Sequence, residues 1–406
     1  MTILHGPLGR PPMLRHTNAV RILHLLRDAG ACSKADLVRA SGLSAPTVAN
    51  VVAYLQAADL IKAAGEGESS GGRPPDLIRF KAERGCVAAV DISVTSITIL
   101  LADLDGELQA TEEVLLEGQS TTPKHICALI GRHVRRMLRA QTYPDAELVG
   151  VTVGVPAITN VMEGVVLAIS PLDGWHDVPL RSMLEKIFSC SVLVENDTNL
   201  AAQGERYRGA ALGEENFVYI SIGHGVGAGI MLAGRIHHGT HWSAGEIGYL
   251  RVPNVSARHT LIREFGELEK LIGSGGIEAS WREMKLAGGA ATKKLKAAAI
   301  LDLAARNDED ARRIVEARAE LVADLILNVS LILNPGLVIL GGDIGSHPVL
   351  IEAVRTGLVA NEFAAPRIAP GQLARNAVLW GGVELSLNAG LATLIESAAA
   401  NTHEAS

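Results

Sequence analysis

Two helix starts flanking a glycine turn constrain the first part of this chain more tightly than any other feature. Ser33 stands three residues before Asp36, a capping-box-like arrangement that opens a short helix carrying Leu37 and Val38. Ser41-Gly42-Leu43 reads as a tight turn. Ser44 then has the position of a second N-cap, with Pro46 tolerated in the first turn that follows. Val48, Val51, Val52 and Leu55 give this second helix one buried stripe, and Ile22, Leu23, Leu25 and Leu26 place a further helix upstream. Short helix, tight turn and capped helix form a helix-turn-helix, a shape used on nucleic acid and, in small bundles, on other proteins.

Beyond Ile61 the chain turns polar and glycine-rich, through Gly71-Gly72-Arg73-Pro74-Pro75, before the short strand Leu77 to Phe80. A hairpin behind a helix-turn-helix makes a winged module. Lys34, Arg39, Lys62, Arg73 and Arg79 are the cations suited to phosphate contacts. Residues 45–58 contain no Lys or Arg, so base contacts fall to Ser44, Thr47 and Asn50. Asn pairs with adenine in bidentate fashion and the Thr methyl touches thymine. Arg73 is expected to reach a minor groove beside the wing.

Charge divides along the same line. Residues 1–85 hold 11 Lys and Arg against 7 Asp and Glu, although the whole chain of 406 residues carries −7. A basic head on an acidic body suggests one end that faces nucleic acid. The length suggests two or three domains, and 48% apolar residues supply real cores, which excludes wholesale disorder. Cys32, Cys86, Cys127 and Cys190 form no C-x-x-C pair, so neither a disulfide scaffold nor a thiolate zinc site is expected. Met1 to Arg15 has no apolar core of signal-peptide length, and a cytoplasmic protein is expected. Leu321 to Leu340 has the length of a membrane span but contains Asp324, Asn328 and the break Asn334-Pro335-Gly336. It reads as a buried helix followed by the core strand Leu337 to Leu340, with no membrane partner.

From Cys86 onward strands alternate with helices, which indicates α/β lobes. Val87 to Ile92, Ser96 to Asp103 and Leu148 to Val153 read as strands, Asp105-Gly106 as a hairpin turn and Pro123 to Arg139 as a helix. Ile220 to Ile230 carries glycine at 223, 225, 227 and 229, where a bare backbone lets a ligand approach or a tight turn pack on itself.

In this order, four further elements resemble the ROK family of repressors and sugar kinases. They are Gly154-Val155-Pro156 with Gly164-Val165-Val166; Glu195-Asn196-Asp197-Thr198-Asn199; Ile222 to Gly229 with Gly239 and Gly245-Glu246-Ile247-Gly248; and Val338-Ile339-Leu340-Gly341-Gly342. The winged module, including Gly72-Arg73-Pro74, is similar to the family's repressor branch. The resemblance implies an actin-like α/β body of two lobes behind a winged helix-turn-helix. The head would span residues 1–85. Lobe one would span 86–200, completed by a C-terminal helix at about 384–400. Lobe two would span 201–383 and serve dimerisation and sugar binding. It implies that Asn196, Asp197, Glu246 and Glu269 hydrogen-bond a sugar, with Asp197 at the position of the general base in family kinases.

Two departures shape the functional expectation. Family kinases carry D-I-G-G-T where this chain has Asp91-Ile92-Ser93-Val94-Thr95, so Ser93 and Val94 argue against an ATP phosphate cradle; no ATP cofactor and no enzyme activity are expected. His224 also stands between glycines where a small hydroxyl residue is usual. Tyr249 replaces a histidine that touches both zinc and sugar in the family, and Val252 to Leu268 contains no cysteine, so no structural zinc is expected and Tyr249 becomes a candidate ligand contact. His237, His238 and His241 cluster nearby as a weaker metal candidate than a solvated loop, and Trp175 and Trp242 are candidates for the pocket or the core. The resemblance therefore implies a sugar-responsive repressor of carbohydrate genes that binds operator DNA as a homodimer or homotetramer. An ATP-dependent sugar kinase is the alternative.

Overall fold

The computed structural model describes residues 11–67, 74–143, 145–168, 172, 174–251, 265–287, 294–358 and 366–404. Helices Pro11–Ala29, Lys34–Ser41 and Ala45–Ala57 form the head, with a small antiparallel sheet of Cys32–Ser33, Asp76–Phe80 and Ile61–Glu66. The caps act as the sequence implies. Ser33 N–H donates to Asp36 Oδ2 at 2.9 Å and Asp36 N–H donates to Ser33 Oγ at 3.2 Å, closing a capping box. Gly42 ends that helix at φ 67°, a left-handed cap that a β-carbon would strain. Ser44 then caps Ala45–Ala57 by accepting from Thr47 N–H.

Each lobe of the body is built on a five-stranded sheet, and the two sheets share one topology. In lobe one the order is Leu108–Leu115, Ser96–Asp103, Gly85–Ile92, Glu147–Val155, Ser191–Asn196. In lobe two it is Arg235–Ile236, Val226–Leu232, Phe217–Ile222, Leu337–Gly341, Arg367–Pro370. In both, the first three strands of the chain run antiparallel as a meander, and the last two join the first in parallel. The repeat is one of topology and not of sequence, and it is the actin-like frame.

Helix Asp197–Arg208 leaves the last strand of lobe one and crosses the C-terminal helix Ala377–Glu404. Gly204 and Gly381 sit at the crossing, where a β-carbon on Gly381 would strike the Leu200 carbonyl. Such crossings need glycine because backbone meets backbone. Helix Glu309–Leu333 ends at Asn334, in the left-handed region at φ 46°, and the chain continues into the buried strand Leu337–Gly341. The apolar stretch at Leu321 to Leu340 is therefore core. Ala374–Ser397, a different segment, is the one long and apolar enough to cross a membrane among the described residues, and half of it is buried within the fold.

The head is not a bead on a tether. Ile22, Leu26, Leu37, Val52 and Leu55 belong to one continuous core with Val87 and Leu104 of lobe one and with Leu387, Leu391 and Ile395 of the C-terminal helix. Each such side chain contributes on the order of 2 kcal/mol when fully buried. Tyr54 Oη donates to the Ile395 carbonyl, and Arg27 clasps Asp105 through Nε to Oδ1 at 3.0 Å and Nη2 to the carbonyl at 3.0 Å.

Candidate functional site

The cleft motif is assembled where strand Ser191–Asn196 hands over to helix Asp197–Arg208. Asn196 is the N-cap, with φ −64° and ψ 139°, and its Oδ1 accepts from Asn199 N–H at 3.1 Å while Nδ2 donates to the Ala157 carbonyl at 3.2 Å. Asp197 Oδ1 accepts from Thr198 N–H at 2.7 Å and from the Thr198 hydroxyl at 3.2 Å. A helix N-terminus favours an anion there. Burial outweighs these bonds and pushes the Asp197 carboxyl up to about 6.

Two more carboxyls feel its charge, and a third neighbours one of those. Asp91, at the end of Gly85–Ile92, is pushed up to about 7 by burial and then by the charge of Asp197. Glu246 is likewise raised to about 7 by burial, followed by Asp197 and Glu269. Burial also raises Glu269, whose Oε1 accepts from Val226 N–H at 2.9 Å and Oε2 from Gly266 N–H at 3.0 Å. The Tyr249 phenol is pushed up to about 12 by burial and by Glu246 and Glu269. Asp197 of lobe one, with Asn196 beside it, thus lies within electrostatic reach of Glu246 of lobe two, which in turn neighbours Glu269 and Tyr249. Carboxyls poised near neutrality accept from hydroxyls when ionised and donate when protonated. Glu269 has a second task, since it bonds the backbone of the turn ahead of Val226–Leu232.

Two glycines of the row, Gly227 and Gly229, are packing glycines. On Gly229 a β-carbon would stand 2.6 Å from Ala202 Cβ and 2.7 Å from the Thr198 carbonyl, and on Gly227 it would stand 3.2 Å from Thr198 Oγ1. These glycines admit the helix Asp197–Arg208, not a ligand. Trp175 is core as well: it is buried, and its indole donates to the Thr121 carbonyl at 2.7 Å. Trp242 is half-buried against the His238 ring, with centroids 5.7 Å apart.

In the turn after Asp91, Ser93 Oγ accepts from Ser96 N–H at 3.0 Å and Thr95 N–H at 3.3 Å. Val94 is half-buried against the lobe-one core. The hydroxyl of Ser93 thus occupies the Thr95 and Ser96 amides of this turn. His224 lies edge-on to Phe265 with centroids 5.3 Å apart. His237, His238 and His241 do not converge, and no group of three metal-ligating side chains forms among the described residues. His238 instead meets Glu195, with Nε2 to Oε2 at 2.7 Å. In the sequence Glu195 is marked only by its place beside Asn196.

In the head, Lys34, Ser44 and Asn50 are exposed and Thr47 is half-buried, all at or near the starts of the second and third helices. Ser44 Oγ is 2.8 Å from Thr47 Oγ1, so these two hydroxyls are already engaged. Arg73 lies outside the described residues. Lys62 and Arg79 both pair with Glu83, and Arg39 pairs with Asp36, so three of the five expected phosphate-binding cations share two carboxylates.

Comparison with known proteins matches both halves. The model of the ROK family aligns with residues 87–387 and that of the MarR family with residues 14–70. The xylose repressor of Bacillus spizizenii is 26% identical over 86% of this chain and 89% of its own. A crystal structure described as a ROK family transcriptional regulator, homologous to the E. coli MLC protein, superposes with a TM-score of 0.79 at 22% identity, covering 95% of this chain and 98% of that one. A ROK family glucokinase from Streptomyces griseus, solved with glucose and AMPPNP, superposes with a TM-score of 0.64 at 21% identity over 75% of this chain and all of its own.

Proposed function

The chain belongs to the ROK family, and on that premise we propose that it is a sugar-responsive transcriptional regulator, a repressor of carbohydrate uptake or catabolic genes. The head would read an operator in a homodimer or homotetramer within the cytoplasm, and a sugar or sugar derivative in the cleft would retune that binding. The observation that carries the reading is mechanical. The cleft motif Asn196–Asp197 opens the helix that crosses the C-terminal helix at Gly204 and Gly381, and Ile395 of that C-terminal helix accepts a hydrogen bond from Tyr54 of the DNA-facing helix. Ligand and DNA elements are therefore one packed train. A sugar that prefers one arrangement of the lobes shifts the head, and the coupling is reciprocal.

Coverage of 89% of a xylose repressor and the MarR-type head support a regulator over a kinase. The Ser93 hydroxyl bonded to the turn amides supports the absence of ATP chemistry. The test is operator affinity, measured on DNA upstream of the protein's own gene with and without a panel of pentoses, hexoses and their phosphates. One sugar changing affinity at least tenfold is expected. Phosphoryl transfer from ATP to any sugar of the panel would instead favour the kinase.

A further inference from the structure

Two polar residues of the cleft belong to neither the sugar-contacting set nor the core. Glu195 is 5% exposed at the end of the last lobe-one strand, and His238 follows the strand Arg235–Ile236 of lobe two. We infer that His238 is a positioning residue of the ligand cleft: through its 2.7 Å bond to Glu195 it holds the Asn196–Asp197 pair of one lobe in register with the Glu246 turn of the other. This rests on the reading that the cleft binds the effector.

Glu195 is a hub. Its Oε1 accepts from Asn196 N–H at 2.8 Å and from Asn199 Nδ2 at 3.0 Å, while Oε2 faces His238. Moving the carboxylate would disturb Asn196 itself and Asn199, two residues beyond Asp197. On the other side, His238 opens a short loop whose far end carries Glu246. The Ala244 N–H donates to the His238 carbonyl at 3.2 Å, and the Gly245 carbonyl accepts from Ala228 N–H at 2.8 Å. Gly239 and Gly245 take φ 70° and 91°, and Trp242 takes φ 63°, a conformation bulky residues rarely adopt. Trp242 holds that conformation while packed on the edge of the His238 ring. Strained backbone persists where its surroundings over-determine it, and here the surroundings are the imidazole. The His238–Glu195 hydrogen bond is thus the link through which the loop bearing Glu246 is fastened to the opposite lobe. A hydrogen bond to an ionised carboxylate is roughly twice as strong as one between neutral groups.

The test is amide hydrogen exchange on the full chain for wild type, His238→Phe, Glu195→Gln, the double variant and His238→Gln. His238→Phe keeps a ring for Trp242 but removes the donor, and it should speed exchange of residues 195–199, on the opposite lobe, about tenfold. The double variant should be no faster than the faster single one, and His238→Gln, which restores an N–H donor, should recover much of the protection. Unchanged exchange at residues 195–199 in His238→Phe, or additive effects in the double variant, would overturn the inference. A second arm reads the melting-temperature rise produced by D-xylose or D-glucose. His238→Phe should shrink any rise, and a rise that survives intact also overturns the inference. Asp197→Ala separates the two readings. If a sugar-induced rise survives that change, the cleft reading fails; if the rise is lost while His238→Phe behaves as wild type, only the latch fails.

Discussion

Gly204 meets Gly381 with so little room that a β-carbon on Gly204 would stand 3.0 Å from the Gly381 nitrogen and run into the Ala377 carbonyl. This contact joins the helix that starts in the ligand cleft to the helix that ends against the head. Gly381→Ala tests it. Alanine gains about 1 kcal/mol of helix propensity, but overpacking costs roughly 1–3 kcal/mol or more where neither backbone can yield. A melting temperature lowered by a few degrees is expected. An unchanged or raised one would mean that the crossing is looser than described.

Tyr54→Phe tests the other end of the train. Tyr54 is buried and donates to the Ile395 carbonyl, so removing the hydroxyl deletes one hydrogen bond between head and body at a cost of about 1 kcal/mol. Helix Ala45–Ala57 keeps its fold and its exposed face. Operator affinity without sugar should change little, while the sugar-induced change in affinity should shrink several-fold. Fluorescence anisotropy of labelled operator, with and without the effector, reads both quantities.

Local signals were the legible ones. The Ser33–Asp36 box, the Ser44 cap and the Gly42 turn are written within a few residues, and the structure forms each. The candidate sugar-site set is legible only through resemblance, because Asp197 and Glu246 come within electrostatic reach by lobe packing. Glu195 and His238 stand 43 residues apart on different lobes, and no periodicity joins them. At Gly227 and Gly229 the sequence leaves a ligand or a tight turn open, whereas a helix packs there, and the reason is physical. Close approach of a helix and close approach of a ligand both demand a missing side chain, and a sequence records only the absence.

The crowded carboxyls make stability depend on pH. Asp91, Asp197 and Glu246 are raised to about 7, 6 and 7 from ordinary values near 4, so the folded state binds more protons than the unfolded one between about pH 4 and 7. Stability contributed by these protons falls as pH rises through that window. The bond to Glu195 raises the His238 imidazole above its ordinary value, which adds a loss of the same sign as pH passes its folded value. The ligand-free protein should therefore melt lower at pH 8 than at pH 5.5. Asp197→Asn removes one charge from the cluster and should flatten this slope while abolishing sugar-induced stabilisation. A slope unaltered by Asp197→Asn would remove the cleft as its source.

Glu83 sets the electrostatics of the wing. It pairs with both Lys62 and Arg79, two cations on the paired strands Ile61–Glu66 and Asp76–Phe80. Phosphates must compete with this carboxylate, and DNA binding gains only what the exchange of partners returns. Glu83→Gln keeps the shape, removes the charge and leaves two cations for the backbone. Each additional phosphate neutralised steepens the dependence of log K on log salt by about 0.9. The variant should bind operator and unrelated DNA more tightly at low salt, with a slope steeper by about one to two. Specificity should fall, because phosphate contacts carry no sequence information. Asn50→Ala is the counterpart. It removes an exposed amide from the DNA-facing helix and should lower operator affinity by ~1–3 kcal/mol at one base pair, with the salt slope unchanged. If Glu83→Gln left the slope at its wild-type value, Lys62 and Arg79 would not face DNA, and the wing would owe its affinity to other residues.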